Sequence, residues 1–250
     1  MASSKEFRIT FAVAMGIALW QALQMILQGD STDAALPNGV YVFWMGQGTY
    51  SAQSSWYGMI FPLLASMAYA GSFFFDIKSG YFRHIQLRVG TKTYFYAKTA
   101  ILFISGGLVA VLPMGVNLAL VAMKYPALLP DHYVDVGPVA KDFGSALYWY
   151  HPFAYTVLYL LFDFLLAGMM ALLSMMLALF TRFRYSAVLT PFFISFLLMI
   201  MDGFFPLSNY VPEYLIFPDM EGLRWWTILT VAAIAAVSVA VTGIKLKNYE

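Results

Sequence analysis

Two places in this chain hold residue types that could do chemistry. The first is Asp163, in the apolar run Leu160-Leu-Phe-Asp-Phe-Leu-Leu. Placing a carboxylate at the centre of an apolar helix costs roughly 2.5–3.5 kcal/mol on insertion scales. It therefore needs a bundle interior or a cavity to face. There it would serve as a translocation-path or proton-linked group, or equally well as a structural partner in an interhelical hydrogen bond. Asn117 and Ser174 are smaller polar groups in apolar runs and read as helix-packing residues. The second place is the charged stretch Asp76-Ile-Lys-Ser-Gly80-Tyr-Phe-Arg83-His84-Ile85-Gln-Leu87-Arg88-Val89-Gly90-Thr-Lys92-Thr-Tyr94-Phe-Tyr-Ala-Lys98. Between its two glycines the spacing suits a short amphipathic helix. Tyr81, Ile85 and Val89 would share one face and His84 and Arg88 the next. Such a helix, held between two longer ones, is a docking element that a soluble partner could push.

Other chemistry is excluded by what the sequence omits. Cysteine is absent, so there is no disulfide framework and no thiolate nucleophile. The three histidines, His84, His132 and His151, all fall outside or at the ends of the apolar runs, and no His-Glu-x-x-His occurs. Asp163 has no second carboxylate at its depth. An intramembrane hydrolase needs a serine with a histidine, paired aspartates or a metal cluster, so no catalytic or metal-binding residue is assigned. Gly90-Thr-Lys92-Thr superficially resembles a phosphate-binding loop, but Ile85 stands where its first glycine belongs. His151-Pro152 suits a helix start better than a catalytic base. ATP, if it is used, must be bound by another subunit.

The elements that position these residues follow from the hydropathy pattern. Of the 250 residues, 61% are hydrophobic and 11% charged, and the mean hydropathy is +0.72. The charges lie between six apolar runs: Phe7–Gln28, Ser55–Phe75, Tyr94–Met123, Leu147–Phe180, Tyr185–Met201 and Trp225–Ile244. Each supplies about the ~20 residues needed to cross a ~30 Å hydrocarbon core. The fourth would measure ~51 Å as one helix at 1.5 Å per residue, so its start is expected to project beyond the membrane. Six spans put both termini on one side. That side holds Lys5, Arg8, Lys78, Arg83, Arg88, Lys92, Lys98, Arg182, Arg184, Lys245 and Lys247, and the other only Lys124, Lys141 and Arg224. Basic residues resist translocation, so the rich side is assigned as cytoplasmic. The net charge of +1, with its basic residues spread over four cytoplasmic segments, gives no sign of a nucleic-acid partner, and none is expected. No Asn-x-Ser/Thr acceptor occurs, which favours a bacterial membrane. The first run is nearly full length and lacks a small-x-small site, so it reads as a retained span rather than a cleaved signal peptide.

The expectation is one all-α domain over residues 1–250. There is no linker, low-complexity block or solenoid repeat, and no obvious inverted repeat of the kind that builds many secondary transporters. Tyr41, Phe43, Trp44, Tyr50 and Trp56, in or beside the polar Gly29–Ser54 loop, read as interfacial anchors. Lys124–Ala146 reads as an ordered external loop. Asp202–Arg224 is apolar but interrupted by Pro206, Pro212 and Pro218. It fits short re-entrant helices shielded by protein, or an aromatic-rich interfacial loop.

With these features in place, the chain resembles the transmembrane subunit of an ATP-binding cassette (ABC) exporter of the type-2 permease family. The resemblance rests on six spans and on a first cytoplasmic loop in which Asp76, Gly80, Arg83, Arg88, Tyr94 and Lys98 match an acidic-x-x-x-Gly turn, basic residues and a Tyr…Lys lead-in to the third span. The Pro-broken segment before the last span is similar to the family's paired re-entrant helices. Family members commonly begin with a longer amphipathic elbow helix, and Met1–Arg8 offers no counterpart. The resemblance implies a coupling helix around Arg83–Val89 that seats in an ATPase subunit, with Asp76, Gly80, Arg83, His84, Ile85, Arg88 and Lys92 forming the coupling loop. It also implies a second permease copy, identical or related, and ATP and Mg on the partner ATPase rather than on this chain. The aromatic-rich walls and Met169, Met170, Met175 and Met176 suit a hydrophobic or amphipathic cargo, whether peptide, drug or lipid-like. They would serve equally as lipid-facing or helix-packing residues. Two other readings share the topology: a proton-linked transporter using Asp163, and a membrane assembly or immunity factor that binds a partner without transport.

Overall fold

A backbone surrounded by apolar side chains satisfies its polar groups within its own helix, and every regular element among the described residues is helical. The computed structural model describes residues 5–27, 39–48, 51–130, 137–138, 142–219 and 224–247. Among them are α1 (Lys5–Leu27), α2 (Val40–Phe43), α3 (Ala52–Met67), α4 (Ala70–Lys78), α5 (Tyr81–Val89), α6 (Thr91–Val121), α7 (Ser145–Tyr150), α8 (Pro152–Ala178), α9 (Arg184–Asp202), α10 (Pro212–Leu215) and α11 (Trp225–Lys247), with 3₁₀ turns at Met45–Gln47 and Ser208–Tyr210. Six stretches are long and apolar enough to cross a membrane: α1, the α3–α4 pair, α6, α8, α9 and α11.

Two of the apolar runs are not single helices. The second breaks at Ala68–Tyr69 into α3 and α4, which lets α4 present Ser72 and Asp76 in a direction of its own. The fourth breaks at His151. Pro152 then opens α8 at a first-turn position, where its missing N–H costs nothing. The start of this run is the separate helix α7.

Helix α8 is the centre of the bundle. It packs most extensively against α6 and also meets α3, α4, α9 and α11, while few residues of α9 and α11 are buried. The α6–α8 seam is built from glycines. A Cβ on Gly106 would lie 2.8 Å from the Ala171 Cβ and 3.1 Å from the Ala65 carbonyl oxygen, so α3, α6 and α8 converge there. Gly107 and Gly168 receive the rings of Phe164 and Phe103, which meet edge to face at 5.6 Å. Small residues of this kind let helices approach closely enough for dispersion to hold them where apolar surroundings give no hydrophobic drive.

One end of the bundle is sealed by Asn117. Its side-chain oxygen accepts from the Met45 N–H at 2.8 Å, and its amide donates to the Ala18 carbonyl at 2.8 Å and to Gln21 Oε1 at 2.6 Å. Gln21 in turn donates to the Phe43 carbonyl at 2.9 Å. The network satisfies backbone groups of the α2 region and pulls that segment inward. Tyr41 and Trp44 are consequently buried in the bundle rather than placed as interfacial anchors, whereas Trp56 is half exposed against Trp20. Tyr50 and His132 lie outside the described residues.

The Pro-broken segment is also drawn in. Val211, Leu215, Ile216 and Phe217 are buried, the last three in the main core, and the Tyr159 hydroxyl donates to the Leu215 carbonyl at 2.8 Å. It folds as a 3₁₀ turn followed by α10, and packs against α3 and α9.

Because three helices share the Gly106 contact, Gly106→Val should be destabilising by about 1–3 kcal/mol through overpacking. A lowered unfolding midpoint of the detergent-solubilised protein, followed by tryptophan fluorescence, would register it; an unchanged midpoint would contradict the seam.

Candidate functional site

The charged stretch folds as a short helix on a fixed base. Gly80 and Gly90 bracket α5 with φ of 74° and 81°. A Cβ added at either would meet nothing within 4 Å, so backbone conformation, not crowding, requires glycine at both. Gly90 also has ψ of 148°, a combination that residues with a side chain rarely adopt. At the start of the turn, the Ser79 hydroxyl donates to the Phe75 carbonyl at 2.6 Å and accepts from the Tyr81 N–H at 3.4 Å.

The base is an ion pair between α4 and α6. Lys98 Nζ lies 2.6 Å from Asp76 Oδ2, with side-chain exposures of 9% and 18%. The same ammonium donates to Ser72 Oγ at 2.6 Å and sits 5.0 Å from the Tyr69 ring centroid. Two hydrogen bonds and a ring face thus occupy the three directions of the lysine head group. Asp76 Oδ2 accepts a second bond from the Tyr94 hydroxyl at 2.8 Å. Phe82 of α5 is buried edge-on to Tyr94 at 5.2 Å. One contiguous set of contacts therefore runs from α4 through the ion pair to α6 and out to α5.

This arrangement decides which face of α5 turns inward. The inward residues are Phe82 and Ile85, packed against the core around Phe73, Leu102 and Met175. Tyr81 and Val89 are exposed, together with His84 and Arg88. Helical spacing is compatible with either stripe, i, i+4 for Tyr81, Ile85 and Val89 and i, i+3 for Phe82 and Ile85, and Tyr94 selects Phe82 by packing edge-on against it. Leu87 is the residue that sequence reasoning missed: it is 87% exposed beside Arg88. Its signal was an aliphatic side chain between Gln86 and Arg88, off the Tyr81–Ile85–Val89 stripe. Arg83 lies on α5, but its side chain is outside the described residues. Lys92 belongs to the first turn of α6 rather than to α5.

Asp163 is elsewhere, near the middle of α8. It is completely buried, and neither carboxylate oxygen has a hydrogen-bond partner among the described residues. Tyr57, Tyr155 and Tyr159 lie within electrostatic reach of it, and the Tyr155 hydroxyl is likewise buried and unpartnered among those residues. Among the described residues, Asp163 therefore does not make the interhelical hydrogen bond that a structural role would supply. Ser174 does make one, donating to the Ala187 carbonyl at 2.9 Å.

Further along α8, Leu166, Met169 and Met170 face Ile194, Leu198, Leu215 and Ile234 across an apolar cavity of about 130 Å³. Asp163 does not line it. Of the four methionines expected to form a cargo surface, Met169 and Met170 border this cavity, Met175 is buried in the core around Phe73, and Met176 is half-buried. His151 lines a separate surface hollow with Tyr41 and Tyr150.

These features define a class: among the described residues every regular element is helical, and six long apolar helical stretches give the chain the architecture of a multi-pass membrane protein. Residues 38–248 match the family described as "Protein of unknown function (DUF2705)", and the chain belongs to that family. No curated protein and no solved structure matches it.

Breaking a mostly buried ion pair from one side strands a charge, at a cost of about 3 kcal/mol. Lys98→Met should therefore lower the unfolding midpoint markedly. The double variant Asp76→Asn/Lys98→Met should recover part of that loss, since Tyr94 can still donate to an Asn oxygen. Additive losses in the double variant would mean that the two residues are not coupled.

Proposed function

We propose that this chain is the membrane-spanning subunit of an ABC exporter, driven by an ATPase subunit that docks on α5. The observation that carries the reading is the pairing of α5's exposed surface with its buried base. Tyr81, His84, Leu87 and Arg88 are exposed on the outer side of α5, while Phe82 and the Asp76–Lys98–Tyr94 cluster tie the same helix to α4 and α6. A force applied to the outer face reaches α4 and the long helix α6 through packed contacts. An exposed aliphatic and aromatic patch edged by Arg88 and His84 suits a protein cleft, because apolar area supplies affinity and charge sets orientation.

In this reading, both termini and α5 lie on the cytoplasmic face of a bacterial membrane, in keeping with the bias of Lys and Arg toward that side. Two permease subunits pair, and two ATPases bind ATP with Mg beneath them. Closure of the ATPases moves α5, and with it α4 and α6, between inward- and outward-facing arrangements. ATP can drive that shift only to the extent that the ATPases favour one arrangement over the other. The buried turn around α10 acts as a re-entrant element, and the cargo is hydrophobic or amphipathic.

A second reading draws on Asp163. Buried and unpartnered among the described residues, it is suited to gaining and losing a proton as the bundle rearranges, so that a proton gradient, not ATP, would drive transport.

Affinity purification from native membranes in mild detergent tests the first reading. A stoichiometric ATP-hydrolysing subunit should copurify, and Leu87→Asp and Arg88→Glu should each reduce its recovery at least about tenfold while leaving the permease folded. Recovery of a partner without ATPase activity would instead favour an assembly or immunity factor. Asp163→Asn separates the drives in reconstituted vesicles: transport that persists with ATP excludes the proton-linked reading, and transport abolished without loss of ATPase binding supports it.

A further inference from the structure

The start of α6 and the end of α11 flank a groove of about 460 Å³ that none of the described elements fills. Its walls are apolar: Phe95, Tyr96, Val239, Ala240, Gly243 and Ile244 line it, and Tyr96 and Ile244 are 68% and 64% exposed. Lys92 and Lys247 also line it, from the two helices. No carboxylate among the described residues does. Both lysines are exposed and, among the described residues, neither makes a hydrogen bond or ion pair. Their neighbour Lys245 is different, since it donates to the Leu179 carbonyl at 3.2 Å and lies 3.5 Å from the Phe180 ring centroid. One terminal lysine of α11 thus serves the fold and the other faces the groove. Gly243 keeps the groove open beside Phe95, whose ring lies 3.4 Å from where a Cβ would stand.

We propose that this groove is a binding site for an anionic phospholipid, with its phosphate between Lys92 and Lys247 and an acyl chain along Phe95, Ala240 and Gly243. Both parts of the ligand are specified. A soluble anion would leave the exposed apolar wall without a partner, and an uncharged hydrocarbon would leave two ammonium groups unmatched beside it. Basic pockets between membrane helices on the cytoplasmic side have the electrostatics to select acidic head groups, and lysine stems reach to the interface while covering apolar surface. The inference rests on the membrane-spanning, cytoplasmic-end reading of α6 and α11 and is independent of ATP-driven transport. It also gives Lys92 a role separate from the α5 docking face.

Native mass spectrometry of the full chain in detergent, with phosphatidylglycerol or phosphatidylcholine of identical acyl chains, tests it without ATP or any partner protein. Absence of a copurifying ATPase would therefore leave this result unaffected. Phosphatidylglycerol should be retained at least about tenfold better, and Lys92→Glu and Lys247→Glu should each lower its retention about fivefold. The double Lys92→Gln/Lys247→Gln variant carries the same test should charge reversal impair folding. Arg182→Glu, in the exposed α8–α9 turn, should change nothing. Gly243→Leu should reduce retention with the charges intact. Equal retention of the two lipids, or indifference to the lysine substitutions, would overturn the proposal. So would efficient disulfide formation between two copies carrying Ala240→Cys, which would give the groove to a second chain.

Discussion

The contact on which the charged end of this molecule depends is the ion pair between Asp76 and Lys98. Two opposite charges removed from water are stable together only when their remaining donors and acceptors are also satisfied, and here they are. Ser72 and the Tyr69 ring complete the lysine, and Tyr94 completes the carboxylate. The pair fixes α4 against α6 at one height, and the Tyr94 ring then fixes Phe82. Without it, Gly80 and Gly90 would leave α5 free to pivot on two permissive backbone positions. With it, the same glycines only let the chain turn sharply at each end of α5.

The other end is organised on the same principle with neutral groups. Asn117 satisfies the backbone of Ala18 and Met45 and the side chain of Gln21. A buried polar network with every member paired is specific, because any shift leaves a donor or acceptor unmet. Between the two ends, α3, α6 and α8 converge on close glycine contacts. Asp163 breaks this pattern. Its carboxylate is buried and unsatisfied among the described residues, and this is the strongest physical reason to look for its role in a rearranged state.

Much of this was legible in the sequence, and the failures have causes. The six apolar runs mark the six long helices because hydropathy and length are properties of a segment by itself. The charged loop could be picked out because charge is costly near apolar runs. That Asp76 pairs with Lys98 was not legible, since the spacing only placed them at the ends of neighbouring runs. Which face of α5 turns inward was not legible for a related reason. Tyr81, Ile85 and Val89 form as regular a stripe as Phe82 and Ile85, and only the position of Tyr94 distinguishes them. Trp44 and Tyr41 read as interfacial because aromatic residues in polar loops often are, but Asn117 reaches across from α6 to bury their segment. Asn117 itself, taken for a packing residue, is the hub of a network visible only once α1 and α6 are side by side.

The cavity beside Met169 and Met170 has a mechanical meaning. A closely packed glycine seam transmits displacement as a rigid joint, whereas a loosely packed wall yields, because its lining atoms lack protein partners on one side. The bundle therefore has a stiff seam, α3–α6–α8, and a more compliant side where α9, α10 and α11 meet α8 around a cavity that is partly open, with Ile194, Tyr210 and Ile234 of its lining 40%, 44% and 42% exposed. Unbranched methionine side chains, which can refill a changing gap without breaking rotamer preferences, are the right material for the wall of such a joint.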